Sequence, residues 1–392
     1  MVRVVNGNGE RVAENRFGFI KADPMFSKID FGFFLVPFEL HCHRKIPLSN
    51  YTPAIFVALA PYPKGYNEEA GPNQPEDLRV TKLFFATDIH GSDICWSKFL
   101  NAGKFYDVDV LILGGDMTGK AVIPFIHQGG KKYRVTLLEQ DFPATNEDEL
   151  ADMQKRVRSR GYYPYLTNPD EIAELEKDPE RVSRIFLQEV LKVVQQWMDL
   201  ADKKLDGTDM KVYCCPGNDD MQEVDEIVRS SRRVILAEGL VTPLDGVHEM
   251  IASGWSNRTP WDTHREEDED QLKVRYEAMI SRLKDPRNAV FNIHVPPYKS
   301  SLDEAPELDK DLRPVLAGQA MKPVGSTALR KAIEETKPLL GLHGHIHEGR
   351  GATRIGKTLC INPGSMYEQG TLLGAIVALG KNKIENYVLT SG

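Results

Sequence analysis

From about residue 80 onward the hydrophobic positions fall into short, nearly unbroken runs that each stop at a polar residue. Lys82-Leu-Phe-Phe-Ala-Thr-Asp88 ends at a carboxylate, followed by Ile89-His90-Gly91 and a helix-like stretch from Ser92 to Ala102. Val108-Asp-Val-Leu-Ile-Leu113 ends in Gly114-Gly115-Asp116, and Met210-Lys-Val-Tyr-Cys-Cys215 ends in Pro216-Gly217-Asn218-Asp219-Asp220 before another helical pattern. Asn288-Ala-Val-Phe-Asn-Ile293 stops at His294, and Pro338-Leu-Leu-Gly-Leu342 enters His343-Gly344-His345-Ile346-His347. Short apolar runs of this kind predict strands buried on both faces. Polar residues just past the C-terminal ends of such strands are where α/β folds gather their sites. Five predicted strand ends therefore each offer a potential metal ligand.

Between Gly119 and Gly207 this rhythm is interrupted. The segment predicts a strand at Lys132–Leu138 and helices over Glu147–Arg160 and Asp170–Lys204. So long an excursion between two core strands predicts an inserted cap, about 119–207. Its Arg156-Val-Arg-Ser-Arg-Gly-Tyr-Tyr-Pro-Tyr165 mixes cations with aromatic rings, a composition suited to phosphates as well as to a solvated helix end. The acidic run from Asp262 to Asp270 predicts the opening of a helix that extends to Leu283, since carboxylates favour the positive N-terminal end. Thr353–Ile361 and Leu372–Leu389 alternate like closing antiparallel strands. Residues 1–78 carry aromatic stretches, Arg16–Ile20 and Phe31–Val36, then a Pro/Gly-rich passage, and predict a β-rich N-terminal extension ahead of a main domain at 79–392. His41-Cys42-His43 within it has no second pair of ligands close by and is read as a strand end.

A chain of 392 residues, 41% hydrophobic, can bury a large core. The net charge of −8 argues against a general polyanion binder, so a phosphate-bearing substrate must meet locally concentrated positive charge. The five cysteines, Cys42, Cys95, Cys214, Cys215 and Cys360, show no CxxC spacing, which disfavours a disulfide framework or a zinc ribbon. With no signal-like apolar region and no membrane-length run, a soluble cytoplasmic protein without a membrane partner is expected, its oligomeric state left open.

Three of the ten histidines fall within five positions, 343 to 347. On an extended segment, residues two apart point to one side, and imidazoles so placed suit a transition metal. Taken in order, Asp88-x-His90, Gly115-Asp116, Gly217-Asn218-x-Asp220, His294 and Gly344-His345-x-His347 resemble the signature of the calcineurin-like metallophosphoesterases, over roughly residues 80–392. Within that superfamily, Asn292-Ile-His-Val-Pro-Pro-Tyr298, Leu342–Glu348 and Asn362-Pro-Gly-Ser365 look most like the phosphoesterases related to the Icc protein. The resemblance implies an α/β fold, a four-layer sandwich of two mixed β-sheets flanked by helices. It also implies two divalent ions, one held by Asp88, His90, Asp116 and His347, the other by Asp116, Asn218, His294 and His345. Two such ions about 3.5–4 Å apart generate a nucleophilic hydroxide and clamp a phosphoryl oxygen for in-line displacement. Mixed nitrogen and oxygen ligation favours manganese, with iron or zinc as alternatives. His343, outside the motif, is expected to pack or to orient a ligand.

One position departs from the pattern. Many members carry a histidine where this chain has Asp219, and that histidine is thought to protonate the leaving group. A carboxylate beside two cations stays ionised and is a poor acid, which shifts the expected substrate from monoesters toward diesters or activated esters. His264 and Tyr298 are the candidate replacement acids. Lys120, Arg258 and Trp261 are the candidate substrate contacts, Arg258 for a phosphate oxygen and Trp261 for a base or aryl ring. The expected activity is a metal-dependent phosphodiesterase acting on a small phosphate ester or nucleotide. A nuclease of the same fold, with nucleic acid as its partner, and a binding module that has lost the reaction are the alternatives.

Overall fold

The computed structural model describes residues 80–392 together with two short strands, Val2–Val5 and Arg11–Asn15, paired antiparallel. The rest of the 1–78 extension, His41-Cys42-His43 included, lies outside the described residues.

Two six-stranded mixed sheets form the body. In the first, Val234–Leu236, Lys211–Cys214, Val110–Leu113 and Thr81–Ala86 run parallel, and Leu373–Gly380 and Lys383–Ser391 close one edge antiparallel. In the second, Glu249–Ser253, Val290–Ile293, Leu340–Leu342 and Thr358–Asn362 run parallel, with Val241–Pro243 and Gly351–Ile355 antiparallel at the two edges.

The period-two alternation of strand side chains explains the layering. Leu83 and Phe85 point toward the second sheet and pack with Ile112, Tyr213, Val290, Leu342 and their neighbours into an inter-sheet core. Their sequence neighbours Phe84 and Ala86 point the other way, against helices Asp93–Tyr106 and Pro179–Lys204. On the far face of the second sheet, Ile251, Phe291 and Ile293 pack against helices Glu269–Ile280 and Thr327–Thr336. The order helix, sheet, sheet, helix is a four-layer α/β sandwich. Both sheets are covered on both faces, which is why their central strands read as unbroken apolar runs rather than alternating ones.

The excursion between Val110–Leu113 and Lys211–Cys214 builds a four-stranded sheet of its own, ordered Gln140–Ala144, Tyr133–Leu137, Val122–His127, Tyr163–Thr167. With helix Glu147–Ser159 it encloses a small core of Ile123, Phe125, Val135, Leu137, Met153 and Val157. The single helix expected over 170–204 is two, Pro169–Leu175 and Pro179–Lys204. Asp178 accepts from the Arg181 amide at 2.9 Å, and Pro179 at the first helical position starts a new helix there. That second helix belongs to the main core, where Trp197 stacks on Trp96 with ring centroids 5.2 Å apart. The helix expected from Asp262 begins only at Glu269, after the Asp268 N-cap, because Glu266 is occupied in the preceding loop by the amides and hydroxyls of Thr259 and Thr263.

Candidate metal centre

The pairing of Thr81–Ala86 with Val110–Leu113 continues past the strand ends. Gly114 N donates to Ala86 O at 2.8 Å, Asp88 N to Gly115 O at 3.0 Å, His90 N to Asp116 O at 2.9 Å and Gly91 N to Met117 O at 2.8 Å. On the other sheet Gly344 N donates to His294 O at 2.8 Å and His343 N to Ile361 O at 2.9 Å. The two sets of loops meet where His345 N donates to the Asp88 carboxylate at 3.1 and 3.2 Å.

This meeting point is conformationally demanding. Asp88, His90, Asp116 and His345 hold φ of 52°, 37°, 47° and 66°, in the left-handed region that residues with a side chain rarely adopt. Strain of this kind persists only where surrounding contacts over-determine it. The glycines beside them are required for space: a Cβ on Gly115, which has φ 135°, would strike the His294 ring, and one on Gly217 would strike Asp116.

Two Asp/His groups lie here with their ligand atoms mutually within 4.8 Å: Asp88, His90 and His347, and Asp116, His294 and His345. His90, Asp116 and Asp219 form a third, overlapping group. Asp116 faces both main groups, its Oδ2 3.7 Å from His90 Nε2 and its Oδ1 3.4 Å from His294 Nε2. His347 Nε2 lies 3.0 Å from His90 Nε2 and 3.6 Å from Asp88 Oδ1. Asn218 Oδ1 is 2.7 Å from His345 Nδ1, and its amide donates to the Thr263 hydroxyl at 2.8 Å.

A divalent ion fits these groups. His294 Nε2 and His90 Nδ1 are buried with no hydrogen-bond partner. Orphaned imidazole nitrogens among buried carboxylates are the donor set of a mixed nitrogen and oxygen site. Burial lowers the His90 pKa to about 3, aided by Lys120, and that of His345 to about 4, aided by His294, so both rings are neutral and able to ligate. Burial would raise the Asp88 pKa, but His347 and His294 bring it down to about 2; against its burial, Asp116 is likewise held by His294 well below the usual carboxylate range. Reciprocally, Asp116 and Asp88 overcome burial to raise His294 to about 9.

Asp219 lies beside the first group, its Oδ2 4.0 Å from His90 Nδ1 and 2.9 Å from the Lys120 ammonium. Burial favours the protonated carboxyl, yet Lys120 holds its pKa below the ordinary value, and Asp219 in turn outweighs burial to raise that of Lys120. His343 is buried, with Nδ1 2.9 Å from Ile293 O, and burial takes its pKa to about 4.

The other expected contacts stand apart. Among the described residues, Arg258, Trp261, His264 and Tyr298 make no hydrogen bond, ion pair or ring contact with the Asp/His groups. Arg258, expected to be open to a phosphate, is taken by Asp268 at 3.1 Å and Asp262 at 3.4 Å. Trp261 and His264 are exposed on the loop that Thr263 ties to Asn218. Tyr298 is half-buried, its ring 5.3 Å from the Lys299 ammonium.

Two residues to which the sequence reading gave no role matter here. Asp220 is fully buried and accepts from Met117 N, Thr118 N, the Thr118 hydroxyl and Gly217 N at 2.6–3.0 Å, tying the 115–118 and 217–220 loops together. Its place in the motif spacing is the signal that could have found it. Tyr367 packs its ring 4.8 Å from that of His90 and 6.1 Å from that of His347, and no local pattern marks it.

No family model matches the chain. An uncharacterized protein of Methanocaldococcus jannaschii, MJ1162, is 31% identical over 175 residues, covering 44% of this chain and 70% of that protein. Among solved structures, TT1561 of Thermus thermophilus is similar with a TM-score of 0.43 and 13% identity, over 80% of this chain and 99% of its own. A novel archaeal phosphodiesterase gives a TM-score of 0.32 and 10% identity, over 79% of this chain and all of its own. On the first of these matches, the chain belongs to the family of the uncharacterized Methanocaldococcus jannaschii protein.

Proposed function

We propose that the protein is a dinuclear metal-dependent phosphoesterase acting on a phosphodiester or an activated ester of a small molecule or nucleotide. The observation that carries this reading is Asp116, whose two carboxylate oxygens face one imidazole of each group, His90 and His294. Asp88, His90 and His347 would hold one ion, Asp116, Asn218, His294 and His345 the other, with Asp116 shared. Manganese is the preferred metal on its tolerance of mixed donors. A bound pair of ions would polarise the phosphoryl group and acidify a water.

The chain's own residues supply the rest. Lys120 offsets charge on the phosphate and keeps Asp219 ionised. An ionised Asp219 cannot donate a proton, so esters whose leaving group departs unaided are favoured over monoesters of basic alcohols. Among the described residues the four cysteines are free and buried, which suits a reducing compartment, and we read the protein as cytoplasmic. Among the described residues no helix is long and apolar enough to cross a membrane.

The test is hydrolysis of bis(4-nitrophenyl) phosphate and 4-nitrophenyl phosphate by protein stripped of metal and reloaded with manganese. Metal-dependent turnover with the diester preferred is expected. Two bound ions without turnover of either compound would overturn the reading in favour of a binding role.

A further inference from the structure

The cap meets the loop that carries His90 at Gly161. Gly161 lies so close to the His90 carbonyl and the Tyr367 ring that a Cβ could not be added, which places Arg160 and Tyr162 on the rim beside the first Asp/His group. Arg160 donates to Glu368 O at 3.4 Å, and among the described residues its guanidinium has no carboxylate within ion-pair distance. Lys120 lies on the same rim, 2.9 Å from Asp219. The Tyr162 phenol stands in the field of both cations and of Glu368; burial is the main cause of its raised pKa, about 12. Asp219 and Glu368 are the opposing charges on this rim, Asp219 paired with Lys120 and Glu368 accepting from the Tyr367 hydroxyl at 3.3 Å.

A half-buried arginine without a carboxylate and a second cation beside a phosphoryl site make a receptor for a second anion. We propose that the substrate carries a second phosphoryl group next to the scissile one, a phosphoanhydride such as a nucleoside diphosphate, and that Arg160 and Lys120 bind the distal phosphate. This rests on the phosphoesterase reading and deepens it. In the reaction one water adds: its oxygen bonds to the scissile phosphorus, the bridging P–O bond breaks, and the bridging oxygen leaves with the electron pair on the distal phosphate. The two protons of the water pass to the product phosphates and to solvent. A departing phosphate needs cations beside it more than it needs a proton, and this rim offers cations.

The experiment is calorimetric titration of manganese-loaded protein with adenosine 5′-(α,β-methylene)diphosphate and with AMP. The diphosphate should bind about tenfold more tightly, the scale of one charge-assisted contact, and Arg160→Gln should reduce that ratio to near one with metal content unchanged. Arg160→Lys should restore part of the ratio, which a merely structural role would not predict, and Glu368→Gln should increase it. A ratio near one in the unaltered protein, or a ratio retained in R160Q, overturns the proposal. Failure of the hydrolase reading itself shows separately, as absence of aryl diester turnover.

Discussion

Asp220 takes four hydrogen bonds on two oxygens in a site without solvent, and every one of its partners is a donor. An amide there would turn an N–H group toward donors that then lack acceptors. Asp220→Asn is expected to cost about 3 kcal/mol, read as a lower urea midpoint, and to reduce bound metal because both ligand loops lose their tie. Gly115 is a second such point. Gly115→Ala must move either the backbone from φ 135° or the His294 ring, so loss of metal with little change in core stability is the outcome expected from metal analysis and calorimetry. Farther away, Asp202 accepts from Ser231 and from the Arg232 and Arg233 amides, and against its burial these bonds keep its pKa below the ordinary 3.8. A depressed carboxylate contributes stability above its unfolded pKa that is lost as pH falls through the folded one. The drop in urea midpoint between about pH 7 and about pH 3 should therefore be smaller in Asp202→Asn.

Helix Pro179–Lys204 shows how an element can be long, regular and still misassigned to a layer. Its apolar face, Val190, Val193, Val194 and Trp197, packs on the first sheet, and Trp197 Nε1 also donates to Asp93 at 2.7 Å. Trp197→Ala should cost about 3–5 kcal/mol in global stability, whereas Phe125→Ala, in the small core of the inserted sheet, should loosen that sheet first, visible as faster amide exchange at 122–127. Periodicity announced that the helix exists; only packing decides which layer receives it. The strand ends were legible because buried parallel strands leave continuous apolar runs, and the first polar residue after each run marks the edge of the sheet. The acidic 262–270 segment misled because Glu266 spends its oxygens on Thr259 and Thr263 rather than on a helix start. Tyr367 had no local signal at all, since it reaches the site only through the closure of the last loop onto His90, while Arg160 lay in the cationic and aromatic run at 156–165, whose composition suggested phosphate but not which of its arginines faces the site. Arg258 carried a signal, but acidic neighbours at 262 and 268 claim it.

For the molecule as a whole, the decisive fact is that the candidate ligands come from both sheets. Asp88, His90, Asp116 and Asn218 follow strands of the first; His294, His345 and His347 follow strands of the second. An ion bound there joins the two halves and binds the folded state alone. Manganese at a hundred times its dissociation constant should then add about 2.7 kcal/mol per site, seen as a rise in melting temperature that a chelator reverses. The four left-handed residues bear on the order of assembly. A chain collapsing under apolar burial alone has no reason to place Asp88, His90, Asp116 and His345 in that conformation. The sheets should therefore form before the site anneals, and refolding without metal should yield a compact, protease-resistant body in which residues 88–91 and 115–118 are the last to become protected from exchange.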